Sequence, residues 1–546
     1  MKRRNLFLSL ICSLILTVAL VTFTVISIVP KKNSGTNKNP TSESVSDTGN
    51  QDVTINEERD GSAEKPFVIY SAETFDTFVV GKYLDENGEY IDYNKVDKEG
   101  KLVYPELNAG LHYELDADID FAGVDFKTIF NKGIAFNGHI DGKGFALKNI
   151  NVNVTKANIV DEYSYVSDKQ LIVNVGVFGA IRDAEIKNLT LDGMNVNLEE
   201  GLYEHIWTAE FKTENGTMKS VAVGSIAGVA YNSTIEMAAQ VAIDGFAYSV
   251  YSNNTADGLF AIGGLVASAD TCAISNSTVK AEIVADEGEK YFVGGVAGCA
   301  FDTTITKTNV EANVTTHYKQ GVDIAGVVGY AINLGVDEVN VNLTVKDNDL
   351  VNRIDTSVVT SVENISVAWI AGVVNTIMID ENANVSKINN VKVVADVDID
   401  GMYAGAVMDV VKVKDSKLPA GYYVELTNIV ADSKVNVLKA YGFARNLVDT
   451  FVNLERVEKD LINGSEVEFN VRLLGQVRLN TYKPANGDKL IPASLFVMGD
   501  DNVLINNDIT AEKDNKKTIK IVYSAGFLTK IRAAETLNIW GLSLAI

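Results

Sequence analysis

Histidine, cysteine, proline and tryptophan are all scarce in this chain of 546 residues, which holds 4, 3, 7 and 3 of them. Each scarcity excludes something. Three cysteines exclude a disulfide scaffold and a multi-cysteine zinc module. None of His112, His139, His205 and His317 has a second histidine four residues on, so the His-Glu-x-x-His pair of a zinc protease is absent. Basic side chains are also in deficit. Lys and Arg number 48 against 72 Asp and Glu, a net −24 that would repel a nucleic acid backbone. No Walker loop or serine nucleophile elbow is visible, and no amphipathic helix of useful length follows residue 60. What is plentiful is glycine, at 42, within a chain that is 46% hydrophobic, too apolar to be disordered throughout.

The chain opens with Lys2, Arg3 and Arg4, followed by an uncharged, mostly apolar stretch from Leu6 to Val29. That stretch is long enough to span a bilayer, which takes about 20 residues, and exceeds the usual apolar region of a cleaved signal, about 7–15. Residues 1–30 read as an uncleaved signal anchor with the basic end in the cytoplasm, the alternative being a cleaved signal that releases a secreted protein. Cys12 sits inside the apolar run behind Ile11, too bulky for a lipobox. Residues 31–60, rich in Ser, Thr, Asn, Asp and Glu without apolar period, read as a flexible spacer. The first sixty residues hold seven basic and six acidic side chains, so the remainder carries −25.

That remainder repeats. The hexamer Val293-Gly294-Gly295-Val296-Ala297-Gly298 recurs as Val223-Gly224-Ser225-Ile226-Ala227-Gly228, from Ile262 to Ala267 and from Ile324 to Gly329. Weaker copies begin at Val175, Ile370, Tyr403 and Ala440. The eight starts are 48, 39, 31, 31, 46, 33 and 37 residues apart. Many copies are followed by a polar turn and an alternating strand, such as 184–191 or 339–345. Alternation marks strands with one buried face, and such spacing marks a solenoid whose coils must stack to bury it. Small residues fit where a Cβ would clash with a neighbouring backbone.

These hexamers resemble the GLUG motif of bacterial surface proteins. The resemblance extends upstream, through Gly61-Ser62-Ala63-Glu64-Lys65-Pro66-Phe67, then Tyr113-Glu114-Leu115-Asp116-Ala117-Asp118-Ile119-Asp120, then Phe136-Asn137-Gly138-His139-Ile140-Asp141-Gly142. Similar regions occur outside the catalytic domains of IgA-specific metallopeptidases and in large adhesins. The resemblance implies an all-β chain with a right-handed parallel β-helix, here preceded by one transmembrane helix, and implies no single activity. The expected organisation is a β-solenoid over 61–450, with an insertion near 81–107 turning at Asn87-Gly88 and Glu99-Gly100, then C-terminal coils and a cap over 451–546. No sortase-type motif follows, so the N-terminal helix is expected to hold the protein on the cell.

Few residues suggest chemistry. Asp396, Asp398 and Asp400 alternate before Gly401 and form a weak Ca²⁺ candidate, although a Ca²⁺ loop would need Glu where Val407 stands. Asp116, Asp118 and Asp120 alternate in the same way. Gly499-Asp500-Asp501 offers paired carboxylates but also suits a turn. Cys272 and Cys299 read as packing residues, with a disulfide as the other reading. Sequons occur at Asn188, Asn232 and Asn342. The expected function is therefore a non-catalytic, membrane-anchored surface protein acting in adhesion, without cofactor. Its partners would be the cell membrane and a surface protein or glycan, with no nucleic acid. The alternative is a polysaccharide lyase or glycoside hydrolase on a β-helix. The two are separated by whether polar side chains from neighbouring coils converge in a groove.

Overall fold

The computed structural model describes residues 58–91, 95–101, 103, 110–167, 170–199, 202, 218–245, 258–285, 291–316, 322–347, 368–379, 386–399, 402–405 and 407–413, and strands between 424 and 545. Residues 1–57, with the apolar stretch read as an anchor, lie outside this set, as do His205, His317, Asp400 and Gly499-Asp500-Asp501. Among the described residues no helix is long and apolar enough to cross a membrane.

The chain is nearly all β. Alternating β-branched residues set the pattern: in Thr278–Ala285 and Asn309–Thr316 every second side chain is buried. Most strands fall into three large sheets, of 17, 9 and 7 strands, here called I, II and III. Between residues 185 and 413 each coil runs a long strand in sheet I, a shorter one in sheet II and a five- or six-residue one in sheet III, then returns to sheet I. One full turn is Thr278–Ala285, Tyr291–Gly294 and Ala297–Phe301, followed by Thr304–Thr306 in the next coil. Pairing between successive coils is parallel throughout sheets I to III, except where Ser164–Ser167 folds back on Gln170–Val175 and where Thr518–Tyr523 lies against Val471–Leu479. This is the arrangement of a parallel β-helix. Toward the C-terminus the described strands pair antiparallel, in the hairpins Ala493–Met498/Leu504–Ile509 and Asn538–Trp540/Ser543–Ala545.

The hexamer is the corner between sheets II and III. Its first residues end a sheet II strand, the middle pair turns, and the last two open a sheet III strand. All eight starts stack as direct partners: Val175, Val223, Ile262, Val293, Ile324, Ile370, Tyr403 and Ala440. The glycines are there for space. A Cβ on Gly264 would strike the carbonyl of Gly295, one on Gly295 that of Gly326, and one on Gly326 that of Gly372. Where Ser225 replaces the glycine, its hydroxyl donates to the Gly264 carbonyl.

Inside, columns run along the axis. One passes through Phe67, Tyr113, Ile140, Ile186, Ile235, Ile274, Ile305, Val336 and Ile388, all buried. At the turn from sheet III to sheet I, Asp183, Asn232, Thr271, Asp302 and Asn333 all take φ near +50°. Asparagine and aspartate tolerate that conformation better than most side chains. Asn232 donates to Asp183 and Asn333 to Asp302, tying coils together. Just inside this turn, the buried hydroxyls of Ser233 and Thr303 donate to carbonyls two residues back, and the Cys272 thiol takes the same place. Cys272 and Cys299 are buried, and neither is in a disulfide.

One element corrects the sequence reading. Helical pieces Ala72–Thr74, Phe75–Val80 and Gly81–Tyr83 run consecutively, where no useful helix was expected. Ser71 caps them in a capping box with Thr74. Phe75, Val79 and Tyr83 recur every four residues and are buried against the first coils. The β-branched and aromatic content (Phe75, Thr77, Phe78, Val79, Val80) masks the helical period. Tyr83 packs edge-on to Phe130 at 4.9 Å, so the start of the segment read as an insertion belongs to the core. Beyond it, Gly88 and Gly100 take positive φ at the two turns read from the sequence.

Candidate functional site

The acidic candidates sit on the outside of sheet I. Asp396 and Asp398 are half-buried on the outer face of Ser386–Asp398, with Val397 and Ile399 inside. Register sets Lys434 opposite Asp396 and Lys346 opposite Asp398 on the neighbouring strands. Among the described residues no three His, Cys, Asp or Glu are grouped to hold a metal ion. Asp116, Asp118 and Asp120 do not share one strand, because the strand His112–Leu115 ends before them and Ile119–Asp120 begins after Asp118. Asp118 accepts from Lys148 Nζ at 2.6 Å and from the Ala146 amide, and Asp120 from Asn149 Nδ2 at 2.8 Å. These bonds hold both carboxyls below the usual range and join one coil to the next.

Two of the histidines far apart in sequence come together. His112 and His139 are direct partners on adjacent strands, their rings stacked with centroids 4.3 Å apart and planes 8° from parallel. His139 Nδ1 faces Glu185 Oε2 at 3.3 Å, and Glu185 meets Lys187 Nζ at 3.0 Å. Burial, then the neighbouring imidazole, lowers the His112 pKa. One signal for this pair is present in the sequence: His112-Tyr113-Glu114 and His139-Ile140-Asp141 share a pattern of histidine, apolar residue and acid.

Two carboxylates of this network, Glu185 and Asp141, are shifted away from the raised pKa that a general acid needs. Glu185 is lowered, chiefly by Lys187. For Asp141 burial works upward, but hydrogen bonds from Asn188 and the Lys143 amide prevail and the net shift is downward. Two carboxyls are raised by burial elsewhere. Asp244 is in sheet I; Asp270, in sheet III between Tyr231 and Phe301, is pushed up to about 6. Asp270 Oδ1 accepts from Thr271, while Oδ2 lies buried without a hydrogen-bond partner. The nearby Asp302 accepts the Asn333 amide.

Polar groups from neighbouring coils do converge at one place, a shallow open groove on sheet I lined by Lys143, Gly144, Asn188, Leu189, Thr190, Glu236, Met237, Ala238 and Asn276. Its origin is a missing residue. Most coils carry an extra residue at positive φ midway along sheet I: Asn188, Asn276, Lys307, Glu338 and Asn390. The coil of Thr234–Gly245 lacks one, so the register slips between Lys187/Leu189 and Glu236/Met237. The sequence carries this only as a one-residue difference in spacing, invisible before the pairing is known.

No family model and no curated protein matches the chain. Two solved structures that it resembles are an IgA1 protease, at 16% identity and a TM-score of 0.30, and an immunoglobulin A1 protease candidate from Bacteroides ovatus, at 15% and 0.27. The matches cover 66% and 59% of this chain, and 22% and 87% of the two neighbours. The chain thus spans under a quarter of the first.

Proposed function

We propose that this is a membrane-anchored extracellular surface protein of the GLUG-motif type, a right-handed parallel β-helix that binds a surface protein or glycan in adhesion and carries out no catalysis. One observation carries the reading: between residues 185 and 379 the chain length joining one strand to the next varies most along one edge. The links from sheet I to sheet II span residues 199–217, 246–257, 286–290, 317–321 and 348–368, from five residues to 21. The corner from sheet II to sheet III takes two residues between strands in each of these coils. The strands that bound these five connections are stacked one above another in sheets I and II, and connections mounted on a rigid scaffold are where binding residues concentrate. The stacked hexamers support the GLUG assignment and the Leu6–Val29 stretch supports the anchor, while the polar groups that converge on sheet I keep a β-helix lyase or hydrolase as the second reading.

The test uses the full chain expressed in a bacterial host. Protease added to intact cells is expected to release the part beyond residue 60, and the cells to gain attachment to matrix proteins or glycan surfaces. Protection from protease overturns the topology. Turnover of a polysaccharide panel overturns the non-catalytic reading in favour of a β-helix lyase or hydrolase.

A further inference from the structure

We propose that the groove on sheet I between the bends at Asn188 and Asn276 binds a neutral saccharide unit. The proposal rests on the surface-binding reading above and names the ligand class of one site on it.

The groove follows from backbone geometry. Asn188 (φ 52°) and Asn276 (φ 47°) each stand where their coils carry one residue more than the coil between them, which runs directly from Glu236 to Met237. Residues of all three coils line the groove at this mismatch. Its outward floor is short side chains, Thr190 and Ala238, which are direct partners. Gly144 closes one end with φ 88° and open space where a Cβ would stand, so a ligand can approach its backbone.

The chemistry suits hydroxyl groups rather than a charged ligand. The lining holds one cation and one anion, Lys143 and Glu236, whose charges cancel. Lys143 is already balanced by Glu114 and Asp141, each at 3.6 Å, which disfavours capture of a polyuronate. Glu236 accepts from Asn276 Nδ2 at 3.1 Å, and a carboxylate has about four acceptor sites, so capacity remains. An amide presents donor and acceptor side by side, the complement of vicinal hydroxyls, and Asn188 and Asn276 stand on opposite rims. No aromatic ring lines the groove, so single-site affinity should be weak, with Kd on the order of 1 mM. Many copies on one cell would supply avidity.

The experiment is ligand-observed NMR on the full chain in nanodiscs. The probes are cellotetraose, mannotetraose, chitotetraose, tetragalacturonate and CaCl₂ alone. At least one neutral tetrasaccharide should bind. Ala238→Arg, which fills the groove from its floor, and Glu236→Ala should each weaken that binding tenfold or more. Lys392→Ala, on a distant coil, should leave it unchanged. Both groove variants should melt with the parent; should Ala238→Arg fail to fold, Glu236→Ala alone decides. The proposal is overturned if no neutral probe binds, if only tetragalacturonate or Ca²⁺ binds, or if the decisive variant binds like the parent. Attachment by wild-type cells separates the two levels. If cells attach and Ala238→Arg cells attach equally, the groove is wrong and the surface reading stands. If wild-type cells do not attach, the surface reading itself falls.

Discussion

The first coils and the middle coils solve the same packing problem with different residues. One internal column begins with Phe67 and Tyr113 and continues as Ile140, Ile186, Ile235, Ile274 and Ile305. Around its start the core is aromatic: Phe75, Tyr83, Phe121, Phe126, Phe130, Phe136 and Phe178 are all buried. Phe136 stacks on Phe178 at 4.6 Å, and Phe75 meets Phe121 edge-on at 5.7 Å. In the middle every coil has a like neighbour on both sides, so medium aliphatic side chains fill the interior and glycine admits close backbones at the corner. At the first coils, among the described residues, Phe67–Ile69 pairs on one side only, and there large rings pack with the helical segment. Repetition favours small uniform parts; termination requires large irregular ones.

Substitutions sharpen this contrast. The largest effect is expected at the end: Phe136→Ala should cost about 3–5 kcal/mol in chemical denaturation, because several rings lose a shared neighbour. In the middle, Gly295→Val should cost about 3 kcal/mol, since the new side chain meets the Gly326 carbonyl, which cannot move without shifting the next coil. If Gly295→Val proved neutral, close approach would not be what the corner glycines provide. Ser71→Ala should cost about 1 kcal/mol by uncapping the helix, seen first as faster amide exchange in Ala72–Thr74.

The last prediction separates the regions by the sign of a small pH effect. Asp270, in the middle, has its pKa raised by burial to about 6 from 3.8. Its folded form holds the proton more tightly, so its contribution is full below pH 3.8 and declines as pH rises through 6. His112, near the end, has its pKa lowered from 6.5 by burial and by His139. Its contribution is full above 6.5 and declines as pH falls below that value. Asp270→Asn should therefore remove a fall in melting temperature between pH 4 and 6, and His112→Gln a rise approaching pH 6.5. Opposite signs would overturn the assigned environments.

The repetitive part of the fold was the legible part. Hexamer spacing located the corners residue for residue, because a corner that must pass its neighbour's backbone tolerates few side chains. Alternation marked inner and outer faces, as at Val397 and Asp398. The helical cap was hidden because aromatic and β-branched residues at a four-residue period look like a strand. The His112–His139 stack and the groove were hidden for another reason. Both depend on which residue of one coil lies beside which residue of the next, and a single bulge changes that correspondence. Asn188 and Asn232, noted as sequons, serve instead as bend residues with positive φ and amides bonded to Asp141 and Asp183.

The same bulges bear on how the chain assembles in the right order. Near-identical corners could let a coil dock on the wrong neighbour during folding. The strand Thr234–Gly245, lacking the extra residue, carries a different pattern of spacing from those on either side. Pairing it elsewhere would throw part of its alternation out of phase and turn aliphatics outward. The irregularities along sheet I thus act as addresses, giving each coil an identity that the repeated hexamer alone would erase.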